Sequence, residues 1–219
     1  MFRDRTEAGQ KLAQKLESYA NRQDLLVLGL PRGGVPVAFE VAITLNAPLD
    51  VLLVRKLGIP GQEECAMGAI ASRGIKILNR EIIKRRRIPK AAIALATNRE
   101  QQELERREST YRNDCTFIDI SDRTVILVDD GMATGATMQA AILAVRQQRP
   151  KRIIVAVPVA ALEIYNELQI KVDKIVCIEI PEQFHSVSFW YQNFSQTTDA
   201  EVSLLLRRAA ERRSQQHLN

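Results

Sequence analysis

Unbroken aliphatic runs punctuate the chain, and between them apolar positions recur at helical spacing. Asp24–Leu30 (DLLVLGL), Asp50–Leu57 (DVLLVRKL), Arg123–Asp130 (RTVILVDD), Lys151–Ala160 (KRIIVAVPVA) and Val172–Ile180 (VDKIVCIEI) each show a Val/Ile/Leu stretch without a polar face. Side chains alternate across a strand, so a strand apolar on both sides has both sides covered. Val35–Leu45, Ala136–Gln148 and Ala161–Gln169 carry the helical pattern between these strands. Strands alternating with helices predict βαβ units, and hence a doubly wound, mainly parallel α/β sheet. In such sheets ligands bind at the carboxyl ends of the strands.

Two segments break the rhythm. From Ile59 to Cys115 an insertion (59–115) opens loop-like, as GIPGQEECAMGAIASRG. It passes a short IKIL strand and turns helical, with Glu103 and Glu108 each four residues ahead of an arginine (Arg107, Arg112). After the last core strand, residues 181–219 gather Phe184, Phe189, Trp190, Tyr191 and Phe194 ahead of a C-terminal helix. At 219 residues and 46% hydrophobic, the chain suits one domain with these additions.

Charge adds a little. The net +5 concentrates in Arg80, Lys84, Arg85, Arg86, Arg87 and Lys90, opposed by Glu81, and in Arg207, Arg208, Arg212 and Arg213. Such clusters suit a nucleic acid or a phosphorylated substrate, but no aromatics interleave with them for base stacking, and solvated helix faces are the simpler reading. Cys65, Cys115 and Cys177 form no CxxC pair, so neither a zinc site nor a disulfide framework is indicated. The charged start, MFRDRTEAGQ, lacks the apolar stretch of a signal peptide, and no run approaches the roughly 20 apolar residues of a membrane span. The expectation is a cytoplasmic chain with no membrane partner.

The chemistry concentrates in Ile126–Met138, ILVDDGMATGATM. Asp129 and Asp130 end a buried strand, where two carboxylates can accept hydrogen bonds from vicinal sugar hydroxyls. Gly131 and Gly135 allow close backbone approach, and the first N–H groups of the following helix make an anion site. Thr134 and Thr137 add hydroxyl donors. Neither the Walker A pattern nor GxGxxG fits this spacing. Sugar hydroxyls on one side and a phosphate on the other describe a 5-phosphoribosyl group.

VILVDDGMATGATM resembles the phosphoribosyl pyrophosphate (PRPP) motif of the type I phosphoribosyltransferases. LGLPRGGVPVA resembles their pyrophosphate loop, and LLVRKLGIPG resembles their strand ending in Arg-Lys. The resemblance implies that Asp129 and Asp130 bind the ribose hydroxyls, directly or through Mg²⁺ and water. Ala133, Thr134, Gly135, Ala136 and Thr137 would hold the 5-phosphate. Pro31, Gly33 and Gly34 would hold pyrophosphate around one unusual, cis, peptide, with Arg32, Arg55 and Lys56 supplying positive charge. Of these, Asp129, Asp130, Arg32 and Lys56 would serve catalysis, and the acids would hold the metal.

The family's lid would correspond to the insertion, with Glu63, Glu64, Arg106, Arg107 and Arg112 as candidates, and its acceptor-covering hood to the aromatic tail. There Trp190 or Tyr191 could stack on a flat acceptor, and His185 is a candidate acid or base. Ala133 stands where 6-oxopurine enzymes carry a third acid, which brings the core motifs nearest to adenine-type members and leaves the acceptor unassigned. The implied activity is Mg²⁺-dependent transfer of the phosphoribosyl group from PRPP to a nitrogen acceptor such as a nucleobase, by a homodimer. Two alternatives share the fold: a PRPP- or nucleotide-sensing regulator that meets nucleic acid, and a hydrolase or phosphorylase of phosphoribosyl compounds.

Overall fold

The computed structural model describes residues 1–112 and 117–216, with the side chains of Glu63, Glu64, Arg112 and Gln216 left aside. Cys115 lies outside the described residues. The elements run α1 (Arg5–Lys15), β1 (Leu25–Gly29), α2 (Gly34–Leu45), β2 (Leu49–Val51), β3 (Val54–Ile59), β4 (Gln62–Ala71), β5 (Ile75–Leu78), α3 (Arg80–Arg85), α4 (Lys90–Arg112), β6 (Thr124–Val128), α5 (Ala136–Gln147), β7 (Arg152–Val159), α6 (Leu162–Gln169), β8 (Lys174–Glu179) and α7 (Asp199–Gln216).

Five strands form a wholly parallel sheet in the order β2-β1-β6-β7-β8. Alternation explains why its strands read as unbroken apolar runs. Leu25 and Val27 of β1, with Ile126 and Val128 of β6, pack under α1 and α2. Leu26 and Leu28, with Val125 and Leu127, pack on the other face against α5 and α6. β1 and β6 are adjacent and in step, Gly29 beside Val128, and they are where the winding reverses direction. The loops leaving these two strands therefore open side by side over one crevice.

Two expectations are corrected. Asp50–Leu57, read as one strand, is two: β2 belongs to the parallel sheet, whereas β3 starts an antiparallel sheet, β3-β4-β5. The apolar run does not stop at the break, because Leu52 and Leu53 are buried under both sheets. The stretch read as a loop, residues 58–74, is mostly β4, which pairs with β3 and β5 on its two sides. Its small residues disguised it. Gly68 leaves no room for a side chain, since a Cβ there would sit 2.2 Å from the carbonyl oxygen of Ile77.

The insertion is more than a cover. Ala71, Ile75 and the half-buried Ile77 join the core that holds Met138, Ile142 and Val145 of α5. Ile93, Leu104 and Tyr111 of α4 pack with Leu57, Met67 and Val202 of α7. The C-terminal helix packs on α2, α4 and β2, so it belongs to the body of the domain.

The aromatic tail does form a small unit, and the N-terminus is half of it. The Phe2 N–H donates to the Trp190 carbonyl (2.7 Å), and the N–H groups of Gln192 and Asn193 donate to the carbonyls of Phe2 and Arg3 (2.8 and 2.9 Å). Phe2, Ala8 and Tyr191 are buried together, with Trp190 and Phe194 packed against them. Asp4 caps α1, its carboxylate accepting from the Glu7 N–H at 2.9 Å. Among the described residues no helix is long and apolar enough to cross a membrane.

Candidate functional site

The site grows from the ends of β1 and β6. The β6–β7 ladder opens after Val128 and resumes where Met132 pairs with Ala160, its N–H donating to the Val159 carbonyl (2.9 Å). Between these points Asp129, Asp130 and Gly131 stand free of the sheet. Gly135 then takes a left-handed conformation (φ 66°) and α5 begins. A Cβ there would meet Ile164 at 2.6 Å, so glycine is required twice over. The first residues of α5 line an open pocket of about 160 Å³. Asp129, Gly131 and every residue from Ala133 to Thr137 line it, and Val187 of the tail closes one side. A helix N-terminus at such a place favours an anion, by its free N–H groups and its dipole.

The second loop is pressed onto the acids. It contains a cis peptide between Pro31 and Arg32. A Cβ on Gly33 would fall 2.0 Å from Asp130 Oδ2, and one on Gly34 would fall 2.7 Å from the Val128 carbonyl oxygen. The Leu30 N–H donates to that same carbonyl at 2.9 Å, which fixes the loop's root. Gly33 is needed because the loop backbone lies against the Asp130 carboxylate, and Gly34 because it lies against the backbone leaving β6.

The two acids part company. Asp129 lines the pocket and accepts the Asp130 N–H at 2.9 Å. Burial first, and then the charge of Asp130, push its carboxyl well above the ordinary carboxylate range. Among the described residues no ion pair reaches it. Asp130 turns the other way. Its Oδ2 accepts from Arg5 Nε and Nη2, both at 2.8 Å, and its carbonyl accepts from the Tyr191 hydroxyl at 2.6 Å. Burial raises this carboxyl too, opposed by the Arg5 guanidinium.

The remaining candidates divide. Arg32 lies 3.9 Å from Asp199, which also accepts from the Tyr111 hydroxyl at 2.6 Å. Arg55 is held by the buried Glu100 of α4, with contacts of 2.6 and 2.8 Å. Lys56 follows on β3 and is engaged within the protein. Arg106 and Arg107 both bind Glu103, so they form a salt-bridged helix surface. The side chains of Glu63, Glu64 and Arg112 lie outside the described residues. Trp190 is half-buried in the tail cluster, away from the pocket lining. His185 is exposed, edge-on to Phe189 with centroids 5.5 Å apart.

Sequence reasoning missed Arg5, Glu100, Asp199 and Val187. Arg5 and Asp130 are 125 positions apart, and no local pattern joins them. The one usable signal was the Asp4-x-x-Glu7 start of α1, which marks a helix there.

A parallel sheet with a pocket at its winding reversal, lined by Asp129 and walled by a helix N-terminus, defines a doubly wound α/β protein with a candidate ligand site at its strand ends. Residues 4–192 match the phosphoribosyl transferase domain family, and the chain belongs to that family. Over 209 residues it is 43% identical to two Mycobacterium tuberculosis proteins (strains CDC 1551 and H37Rv) named provisionally as phosphoribosyl transferases. The match covers 95% of this chain and 47% of theirs, so the chain spans about half the length of those relatives. The crystal structure of TT1426 from Thermus thermophilus is similar over 94% of this chain and 98% of that one, with 39% identity and a TM-score of 0.85. AQ2163 from Aquifex aeolicus shares the fold at 13% identity and a TM-score of 0.51, over 83% of this chain and 76% of its own.

Proposed function

We propose that the chain transfers a 5-phosphoribosyl group from PRPP to a nitrogen nucleophile, a nucleobase in the simplest case, with Mg²⁺ as cofactor. The observation that carries this reading is the pocket itself, in which Asp129 and the Ala133–Thr137 backbone share one wall. In the transfer the C1–O bond breaks with its electron pair leaving on pyrophosphate. The acceptor nitrogen bonds to C1 and gives up a proton. Ala133 to Thr137 bind the 5-phosphate by N–H groups and hydroxyls, and Asp129 accepts a ribose hydroxyl. The Pro31–Gly34 loop offers backbone groups to the pyrophosphate.

The donor set suits Mg²⁺. Among the described residues no three acidic, histidine or cysteine side chains gather into a metal site of their own. Asp129 is one carboxylate without a cation, and Mg²⁺ is commonly held by one or two carboxylates together with substrate phosphates. Asp129 would hold it with oxygens of PRPP, and when bound the ion would offset charge developing on the leaving group. Pyrophosphate also competes with Asp199 for Arg32 and with Glu100 for Arg55. Tightening of these cations onto the leaving group is favoured once water is excluded.

Calorimetric titration of PRPP with and without Mg²⁺, on wild type and Asp129→Asn, tests the reading. Mg²⁺-dependent binding to wild type, lost in the variant, is expected, followed by pyrophosphate release with one of a panel of purines, pyrimidines and amines. Absence of PRPP binding by folded wild type removes the proposal.

A further inference from the structure

We infer that α3 and the turn after it form a docking surface for the phosphate backbone of a nucleic-acid duplex, independently of the phosphoribosyl reading. Arg80, Lys84, Arg85, Arg86, Arg87 and Lys90 follow one another closely, and Glu81 is the one acid among them. All six cations are exposed, and among the described residues none takes part in an ion pair or a side-chain hydrogen bond. The helix that follows is different: Arg99 is held by Glu100, and Arg106 and Arg107 by Glu103. Two neighbouring surfaces of one insertion thus treat their arginines in opposite ways, paired on α4 and open on α3.

Local structure holds these charges outward. Asn79 caps α3, its side chain accepting the Ile82 N–H at 3.0 Å, and the Ile88 N–H closes the turn by donating to the Ile83 carbonyl at 3.0 Å. Ile82, Ile83 and Ile88 are half-buried against the cluster that holds Leu57, Met67 and Ile93. The helix dipole accounts for Lys84 and Arg85 in the last turn, but it opposes Arg80 in the first. Nor does it explain Arg87, whose left-handed backbone (φ 52°) suits glycine or asparagine better. The partner's chemistry follows from what the surface lacks. No aromatic lies between positions 79 and 90, so splayed bases would find no stacking platform and a single strand is disfavoured. The isoleucines turn inward, which leaves neither an apolar side to sink into a membrane nor the apolar centre of a protein interface. Closely spaced positive charge remains, and a duplex offers one phosphate charge per about 1.7 Å of its axis. Such contacts grip the backbone and carry no base readout.

The test is fluorescence anisotropy with two labelled DNA duplexes of about 20 base pairs and unrelated sequence, and with one single strand of the same length, over a range of salt. Wild type should bind both duplexes alike, in the micromolar range at about 50 mM salt, and more tightly than the single strand. If about five phosphates are engaged, affinity falls with salt at a log–log slope of about 4.5. The variant Lys84→Gln/Arg85→Gln/Arg86→Gln/Arg87→Asn keeps a residue that tolerates the left-handed turn. It should bind at least about tenfold more weakly, with the slope reduced by about three. Arg207→Gln/Arg208→Gln/Arg212→Gln/Arg213→Gln, which alters the other basic cluster, should stay within about twofold of wild type.

No duplex binding by folded wild type at low salt overturns the inference. So does binding that the α3 variant retains, a loss that appears in the C-terminal variant instead, or a single strand held as tightly as the duplex. Binding to phosphatidylserine vesicles without binding to duplex would assign the surface to a membrane and overturns it too. Thermal unfolding checks each variant's fold. If the α3 variant does not fold, Arg80→Gln/Lys84→Gln/Lys90→Gln, which leaves the turn untouched, carries the same comparison.

Discussion

Replacing Gly33 by alanine perturbs the contact between the Pro31–Gly34 loop and the Asp130 carboxylate. The backbone at Gly33 is right-handed helical (φ −61°, ψ −30°), so alanine is conformationally acceptable there. Alone, the substitution should stabilise by about 0.4–1 kcal/mol through the unfolded chain. The added methyl, however, would lie 2.0 Å from Asp130 Oδ2 and 2.7 Å from its Cγ. Carbon–oxygen contacts below 3.0 Å essentially do not occur, so the carboxylate must retreat by about 1 Å. Such a retreat breaks its 2.8 Å contacts with Arg5. Disrupting a largely shielded ion pair costs about 3 kcal/mol, and the net loss is then about 2 kcal/mol. For a chain of this size that lowers Tm by about 4–8 °C. Thermal unfolding of Gly33→Ala, alone and in an Asp130→Ala background, measures it. With the carboxylate gone the cost should vanish, leaving alanine neutral or mildly stabilising. A Gly33→Ala protein as stable as wild type, or one equally destabilised in both backgrounds, would falsify the close-contact argument.

Two solution measurements probe regions away from the loops. Glu103 is depressed from 4.5 to about 2, first by the Arg106 hydrogen bond and then by that from Arg107. A depressed carboxylate contributes stability that is present above its unfolded pKa and lost as pH falls toward the folded one. The Tm difference between wild type and Arg106→Gln/Arg107→Gln should therefore narrow between pH 4.5 and 2; a constant difference would count against the pairing. Burial pushes the Cys177 thiol up to about 12, whereas Cys65 is exposed. Iodoacetamide at neutral pH should label Cys65 well before Cys177 in peptide maps, since the thiolate is the nucleophile, and equal rates would show that the strand around Cys177 opens readily.

Much of this architecture was legible because the signals were local. A strand buried on both faces announces itself as an aliphatic run, and β1, β6, β7 and β8 did so. The strand–loop–helix from Ile126 to Met138 was legible for the same reason: acids, glycines and threonines lie within a dozen residues. What escaped depended on distant partners. β4 looks like loop because Gly68 and its alanines are chosen for contact with β3 and β5. The break between β2 and β3 is invisible because both halves are buried. Arg55 was assigned to ligand without its partner, Glu100, which sits 45 positions away on α4. Asp130 looked equivalent to Asp129 until the fold brought Arg5 beside it. Charges in a shared motif can be counted in the sequence, but their partners are set by the tertiary fold.

The second sheet constrains what can be cut from this protein. α5 follows the Gly131–Gly135 loop, and one side of it packs on β3, β4 and β5. A shortened variant without residues 59–112 would strip the covering from Met138, Ile142 and Val145 and leave an apolar helix face bare, a surface that favours aggregation. Insertions and deletions in this lineage should therefore fall at the turns of the second sheet, such as Pro60–Gly61 or Arg73–Gly74, where a glycine has nothing within 4 Å. The segment that looks most like an accessory shares its core with the helix that follows the Gly131–Gly135 loop.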